Sequence, residues 1–151
     1  MNNCVEHFLP ELELATFQVR EAMQCILHTI IFLRAPGPVA PREVPCEGFN
    51  LTYAKIGIAG STISIPPKQP SKGGVDRFSN QTDSVDAKID ESIERFLRRL
   101  TQIGPELLSG CLTLSFYERR TKRHGLLFGL MTQEEKVVWE QWNIRVVVNN
   151  T

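Results

Sequence analysis

Cys25 and His28 stand three residues apart in the run Val19 to Arg34, a spacing that sets a thiol and an imidazole on one side of a helix. That pairing is the germ of a cysteine nucleophile with its base, provided the thiol pKa is lowered and a cleft admits substrate. Cys25, however, lies in an apolar run and His28 on a stripe of polar residues, so the sequence assigns one to packing and the other to the surface. His7, His28 and His124 share no ligand spacing with one another or with Cys4, Cys25, Cys46 and Cys111, and no metal site is expected. Gly57 to Thr62 resembles a phosphate loop only loosely, because it lacks the Gly-Lys-Ser/Thr ending that supplies charge and a magnesium ligand. The carboxylates fall mainly on helix surfaces, where solvation accounts for them. No catalytic residue and no cofactor is expected.

Two stretches are better suited to binding. Arg119, Arg120, Lys122 and Arg123 form a basic run that could take phosphate or acidic headgroups, although no aromatic residue is interleaved for base stacking. Just beyond it, Leu126, Leu127 and Phe128 form an apolar tip between Gly125 and Gly129, which is either folded back on a sheet or offered for docking.

The helix that carries Cys25 has Val19, Met23, Ile26, Ile30 and Leu33 on its apolar face and Arg20, Gln24 and His28 on its polar stripe. The next position on the stripe is Phe32, so the end of the helix is apolar all round. Ile31, Phe32, Leu33 and Arg34 are therefore expected to meet a partner. Glu11 to Ala15 alternates as a strand leading into this helix, with Thr16 as its cap, and the prolines of 35–41 end it. Phe49, Leu51 and Tyr53 suggest a second strand. Val85, Ile89, Ile93, Phe96, Leu97 and Leu100 mark the face of a second helix, starting at Asp83 or Ser84 and ended by Gly104-Pro105, with Glu91–Arg95 and Glu94–Arg98 pairs along it. Leu112, Leu114 and Phe116, and then Trp142, Ile144, Val146 and Val148, alternate as two further strands joined by a long hairpin connection. Mobile loops are expected near 35–47, 57–82 and 119–138.

The chain has 151 residues, enough for one domain with a core that needs no disulfide or metal. Seventeen basic and seventeen acidic residues cancel, so no overall field draws it onto nucleic acid or anionic lipid, and any membrane contact is expected to be peripheral. Scattered cysteines, no signal-peptide pattern and no apolar run near the roughly 18 residues of a membrane span predict a soluble, reduced, cytoplasmic protein. Three Asn-x-Thr sequons are read as chance matches on that basis.

In this order the elements resemble the autophagy-related protein 101 family of HORMA-domain proteins. The resemblance is carried by Val19-Arg20-Glu21-Ala22-Met23 with Ile26-Leu27-His28-Thr29-Ile30, by Cys46-Glu47 with Phe49 and Thr52-Tyr53, by Leu114-Ser115-Phe116-Tyr117, and by Trp139-Glu140-Gln141-Trp142 with Arg145-Val146. It implies an α+β HORMA-like fold, an antiparallel sheet with helices packed on one side, in a single domain over residues 1–151. It also implies a non-enzymatic scaffold that pairs with and stabilises the HORMA domain of autophagy-related protein 13, in the kinase complex that starts autophagosome formation at the phagophore assembly site. Leu126, Leu127 and Phe128 stand where relatives carry a Trp-Pro-Phe finger that recruits downstream factors. Relatives continue beyond the last strand with a third helix and more strands, whereas this sequence stops at Thr151, as either a short natural form or a truncated one; in a natural short form, peptide capture by a wrapping C-terminal segment is not expected.

Overall fold

A computed structural model describes residues 3–34, 41–56, 85–126 and 129–150, with side chains described except over 123–132. In chain order the elements are β1 (Val5–Phe8), β2 (Leu12–Ala15), α1 (Thr16–Arg34), β3 (Arg42–Pro45), β4 (Thr52–Lys55), α2 (Val85–Arg98), β5 (Thr101–Gln102), β6 (Leu107–Leu126) and β7 (Gly129–Asn149). The fold is α+β, with one five-stranded sheet, a two-stranded sheet and two helices among the described residues. The chain divides into two compact units, Met1–Leu14 with Leu100–Thr151, and Ala15–Arg99.

The first unit is built on the β6–β7 hairpin. Strand alternation sorts its ladder into two faces. Leu108 faces Val148, Leu112 faces Ile144 and Leu114 faces Trp142 on the apolar side. Thr113 faces Asn143 and Ser115 faces Gln141 on the polar side, and both polar pairs are joined by side-chain hydrogen bonds of 2.8 and 3.2 Å. Ile144, Val146 and Val148 are almost wholly buried, which makes β7 the spine of this core. Between Phe116 and Tyr117 the register shifts: Phe116 pairs with Glu140 but Tyr117 with Val138, so Trp139 is the extra residue of a β-bulge. The bulge reverses the parity of β7, and beyond it the strands continue as one paired arm to Leu126 and Gly129.

The sheet is mixed rather than antiparallel throughout. β1 runs parallel to β7, with Val5 opposite Glu140 and His7 opposite Trp142. A parallel neighbour leaves no hairpin signal in the sequence, and four residues are too few to show a period. β2, expected from its alternation, also pairs with β7.

In the second unit α1 packs against β4 and α2. Val19, Ala22, Met23, Leu27 and Ile30 of α1 are buried, as are Tyr53, Ile56, Ile89, Ile93 and Phe96. The helix opens with the Ala15 N–H donating to Gln18 Oε1 at 3.1 Å, the half of a capping box in which a first-turn side chain reaches back to the amide ahead of the helix. β3 lies in the stretch 35–47 expected to be loop, paired antiparallel with β4; residues 35–40, and 57–82 with them, lie outside the described residues. The strand expected from Phe49 is shorter: 47–50 bend and pairing starts at Thr52, which leaves Leu51 exposed. α2 ends at Arg98, ahead of Gly104-Pro105, because β5 intervenes and pairs with β6. The stretch 119–138 expected to be mobile is ladder over 119–126 and 129–138.

Candidate interaction site

The polar stripe of α1 does not face solvent. Arg20 pairs with Glu94, Gln24 Nε2 donates to Asp90 Oδ1 at 2.9 Å, and His28 Nε2 lies 3.4 Å from Asp86 Oδ1. Each step is four residues on both helices in opposite directions, so the stripe zips α1 to α2. Glu94 is thereby drawn to Arg20 rather than to Arg98. The matched intervals, Arg20, Gln24 and His28 against Glu94, Asp90 and Asp86, were present in the sequence as a signal of this contact.

His28 is fully buried, not a surface residue. Its Nδ1 accepts from the Ile56 N–H at 3.1 Å, which fixes the proton on Nε2 and aims it at Asp86 across a contact too poorly aligned to be a full hydrogen bond. Lys55 Nζ reaches the same carboxylate oxygen at 3.1 Å. Burial pulls the His28 pKa down, with the Asp86 charge opposing it. Both ring nitrogens are therefore committed away from Cys25. The Cys25 thiol is pushed up chiefly by burial, against hydrogen bonds with Cys46 and Thr29 that act the other way, and Cys46 is likewise raised by burial. Raised thiols beside a committed imidazole make a packing cluster, not a nucleophile. No group of three or more potential metal ligands occurs among the described residues.

Two other polar contacts were not anticipated. Glu21 clamps the bend after β3: its carboxylate accepts from the N–H groups of Glu47 and Gly48, the latter at 2.6 Å. A Cβ on Gly48 would come within 2.9 Å of Glu21 Oε2, so glycine permits the approach. In the first unit His7 stacks on Trp142 with ring centroids 4.0 Å apart and hydrogen-bonds Glu140 at 2.9 Å, accounting for a carboxylate that is only 4% exposed.

The four residues expected to meet a partner end α1. Ile31 and Phe32 are half-buried, while Leu33, at 68% exposure, and Arg34 are open. Of the basic run, Arg120 is bonded to Glu118 at 2.6 Å and Lys122 to Glu135 at 2.6 Å, which holds the Glu135 carboxyl below its usual range. These carboxylates offset the cations and weigh against the run as an arm for nucleic acid or anionic membrane. Arg119 stays exposed, and the side chain of Arg123 lies outside the described set. Leu126 ends β6, its side chain undescribed, and Leu127 and Phe128 lie outside the described residues. No helix among the described residues is long and apolar enough to cross a membrane.

Comparison with known proteins adds an independent line. The family model for autophagy-related protein 101 matches residues 11–151. The chain is 33% identical over 146 residues to autophagy-related protein 101 of Arabidopsis thaliana, covering 97% of this chain and 54% of that protein. It is 22% identical over 159 residues to the proteins of the same name from Xenopus laevis and Homo sapiens, covering 97% of this chain and 58% of each. The chain thus spans a little over half the length of these curated relatives.

Proposed function

This chain belongs to the autophagy-related protein 101 family, and from that membership we propose that it is a non-enzymatic scaffold of the autophagy-initiating kinase complex. In this reading it forms a single HORMA-like domain. It heterodimerises with the HORMA domain of autophagy-related protein 13, stabilises it, and helps recruit later factors through Leu126, Leu127 and Phe128. It works in the cytoplasm and at the phagophore assembly site. The observation that carries the partner reading is the end of α1. The helix, buried at Val19, Ala22, Met23, Leu27 and Ile30, finishes with Leu33 in water and with Ile31 and Phe32 only half covered, an apolar end of the kind that a second protein covers.

Leu33→Asp tests it. A charge in a dry interface is costly, whereas a charge at an exposed helix end is cheap for the isolated chain. The variant is expected to melt within a few degrees of the parent and to lose about tenfold or more in affinity for the partner HORMA domain in a calorimetric titration. Unchanged affinity would remove the end of α1 from the interface. Co-purification from cells without autophagy-related protein 13 in comparable amount would remove the heterodimer itself.

A further inference from the structure

Strand alternation divides the basic run between the two faces of the β6–β7 arm, and the bulge at Trp139 decides which residues of β7 join each. Beyond it, Glu118, Arg120, Lys122 and Glu135 share one face of the β6–β7 arm and neutralise each other. Tyr117, Arg119 and Lys136 share the other. Arg119 and Lys136 are register partners, so two cations sit directly opposite across the ladder, an arrangement that costs stability unless something offsets it. Among the described residues no carboxylate pairs with either. Glu134, opposite Thr121, is the one acidic side chain on this face over 117–122 and 133–138, and it forms no ion pair there. Tyr117 lies on the same face beside them, with Lys136 Nζ over its ring, 5.0 Å from the centroid.

We infer that Tyr117, Arg119 and Lys136 form a binding site for a phosphate group. Arg119 and Lys136 bring donors from two strands to one face beside the Tyr117 ring, and a phosphate placed between them would meet both. The guanidinium of Arg119 supplies a planar two-pronged donor, Lys136 a point charge and Tyr117 an O–H, so three groups are matched to the several oxygens of a phosphate dianion. The anion would also relieve the cross-strand repulsion. All three side chains are exposed, so a single phosphate is held weakly and in a salt-dependent way, and several phosphates presented together are held better. The source is a phosphorylated lipid headgroup or a soluble phosphate. The site does not rest on the heterodimer reading, since it uses neither α1 nor the partner.

The chain contains two tyrosines, and the protein separates their titrations. Burial pushes Tyr53 up to about 12, whereas the Arg119 hydrogen bond and the Lys136 charge hold Tyr117 below the ordinary phenol range. Phenolate absorbance of the full chain, followed against pH with and without inorganic phosphate at matched ionic strength, therefore reports Tyr117 first, while Tyr53 monitors the fold. Bound phosphate is expected to raise the Tyr117 midpoint by roughly half a pH unit, saturably, and to leave Tyr53 in place. Lys136→Gln is expected to abolish the saturable shift, and Arg120→Gln with Lys122→Gln to preserve it. A shift matched by sodium chloride of equal ionic strength, or one that survives Lys136→Gln, would overturn the site. Flotation at neutral pH on phosphatidylcholine vesicles with and without phosphatidylinositol phosphate separates the sources. Lys136-dependent binding to the phosphorylated lipid identifies a headgroup, and saturation by inorganic phosphate without vesicle binding identifies a soluble ligand; both support the site. Capture of a phosphorylated peptide without any response to phosphate or vesicles would make these residues a protein interface and overturn it.

Discussion

His28 couples the stability of the second unit to pH. Its Nδ1 is occupied by the Ile56 N–H, and a proton added there would set two N–H groups against each other. Burial accordingly holds the folded pKa below the unfolded value of about 6.5. Above that value neither state binds the proton and the folded state loses nothing. Below it the unfolded chain takes up a proton that the folded chain refuses, so stability falls as pH drops through 6.5 towards the folded pKa. Denaturant unfolding is expected to show a lower stability at about pH 5.5 than at about pH 7.5, part of it from this residue. In His28→Gln the pH difference should shrink even if the variant is less stable at both values; an unchanged difference would assign the acid sensitivity elsewhere. Glu21 acts on a different bond. Removing its carboxylate leaves the Glu47 and Gly48 amides without their acceptor, and Glu21→Ala is expected to cost about 1–3 kcal/mol and to speed hydrogen exchange at those two amides. Exchange as slow as in the parent would show that the clamp does not hold the bend.

The contact between α1 and α2 is the element whose energetics the side chains grade along its length. Arg20 and Glu94 are both substantially exposed, so their pair contributes about 0–1 kcal/mol and fades with salt. Gln24 and Asp90 are part-buried, and a hydrogen bond to a carboxylate there should couple by about 1–2 kcal/mol. Double-mutant cycles with alanine at each pair are expected to rank the second above the first, and an equal or reversed ranking would mean that solvent reaches the inner pair. The helices themselves were legible because each holds its apolar period over several turns, as Val19, Met23 and Ile30 or Ile89, Ile93 and Phe96 show. Their docking was not, because Gln24 and Asp90 stand 66 residues apart and a polar stripe reads as solvent-facing until its complement is found. β6 and β7 announced themselves by alternation. β1, β3 and β5 did not: they are two to four residues long, β3 ends in a proline, and β1 depends on a distant strand for its pairing. The Tyr117 site was hidden by the bulge, since a one-residue shift decides whether Lys136 shares a face with Arg119 or with Arg120.

At the scale of the whole molecule, the proposed function places the docking tip at the far end of the hairpin arm from the buried part of its sheet. The ladder pairs Leu126 with Gly129, and Leu127 and Phe128 stand between them in sequence, outside the described residues. Among the described side chains, the buried ones of β7 lie at Val137 and between Glu140 and Val148, well removed along the chain from this point. Replacing both Leu127 and Phe128 with Asp should therefore spare the sheet, and melting is expected within a few degrees of the parent. Heterodimer formation should also persist, because the proposed partner surface is the end of α1. What should fall is recruitment of later autophagy factors, since adjacent leucine and phenylalanine residues supply an apolar contact that two carboxylates abolish. The contact is expected to be weaker than one built on tryptophan, whose larger rigid ring buries more area at less entropic cost. Thermal melting and a partner pull-down on the purified variant, then imaging of downstream factors at the assembly site, resolve the outcomes. A large drop in melting temperature would make these residues part of the core, and unchanged recruitment at unchanged stability would show that the hairpin carries no docking tip.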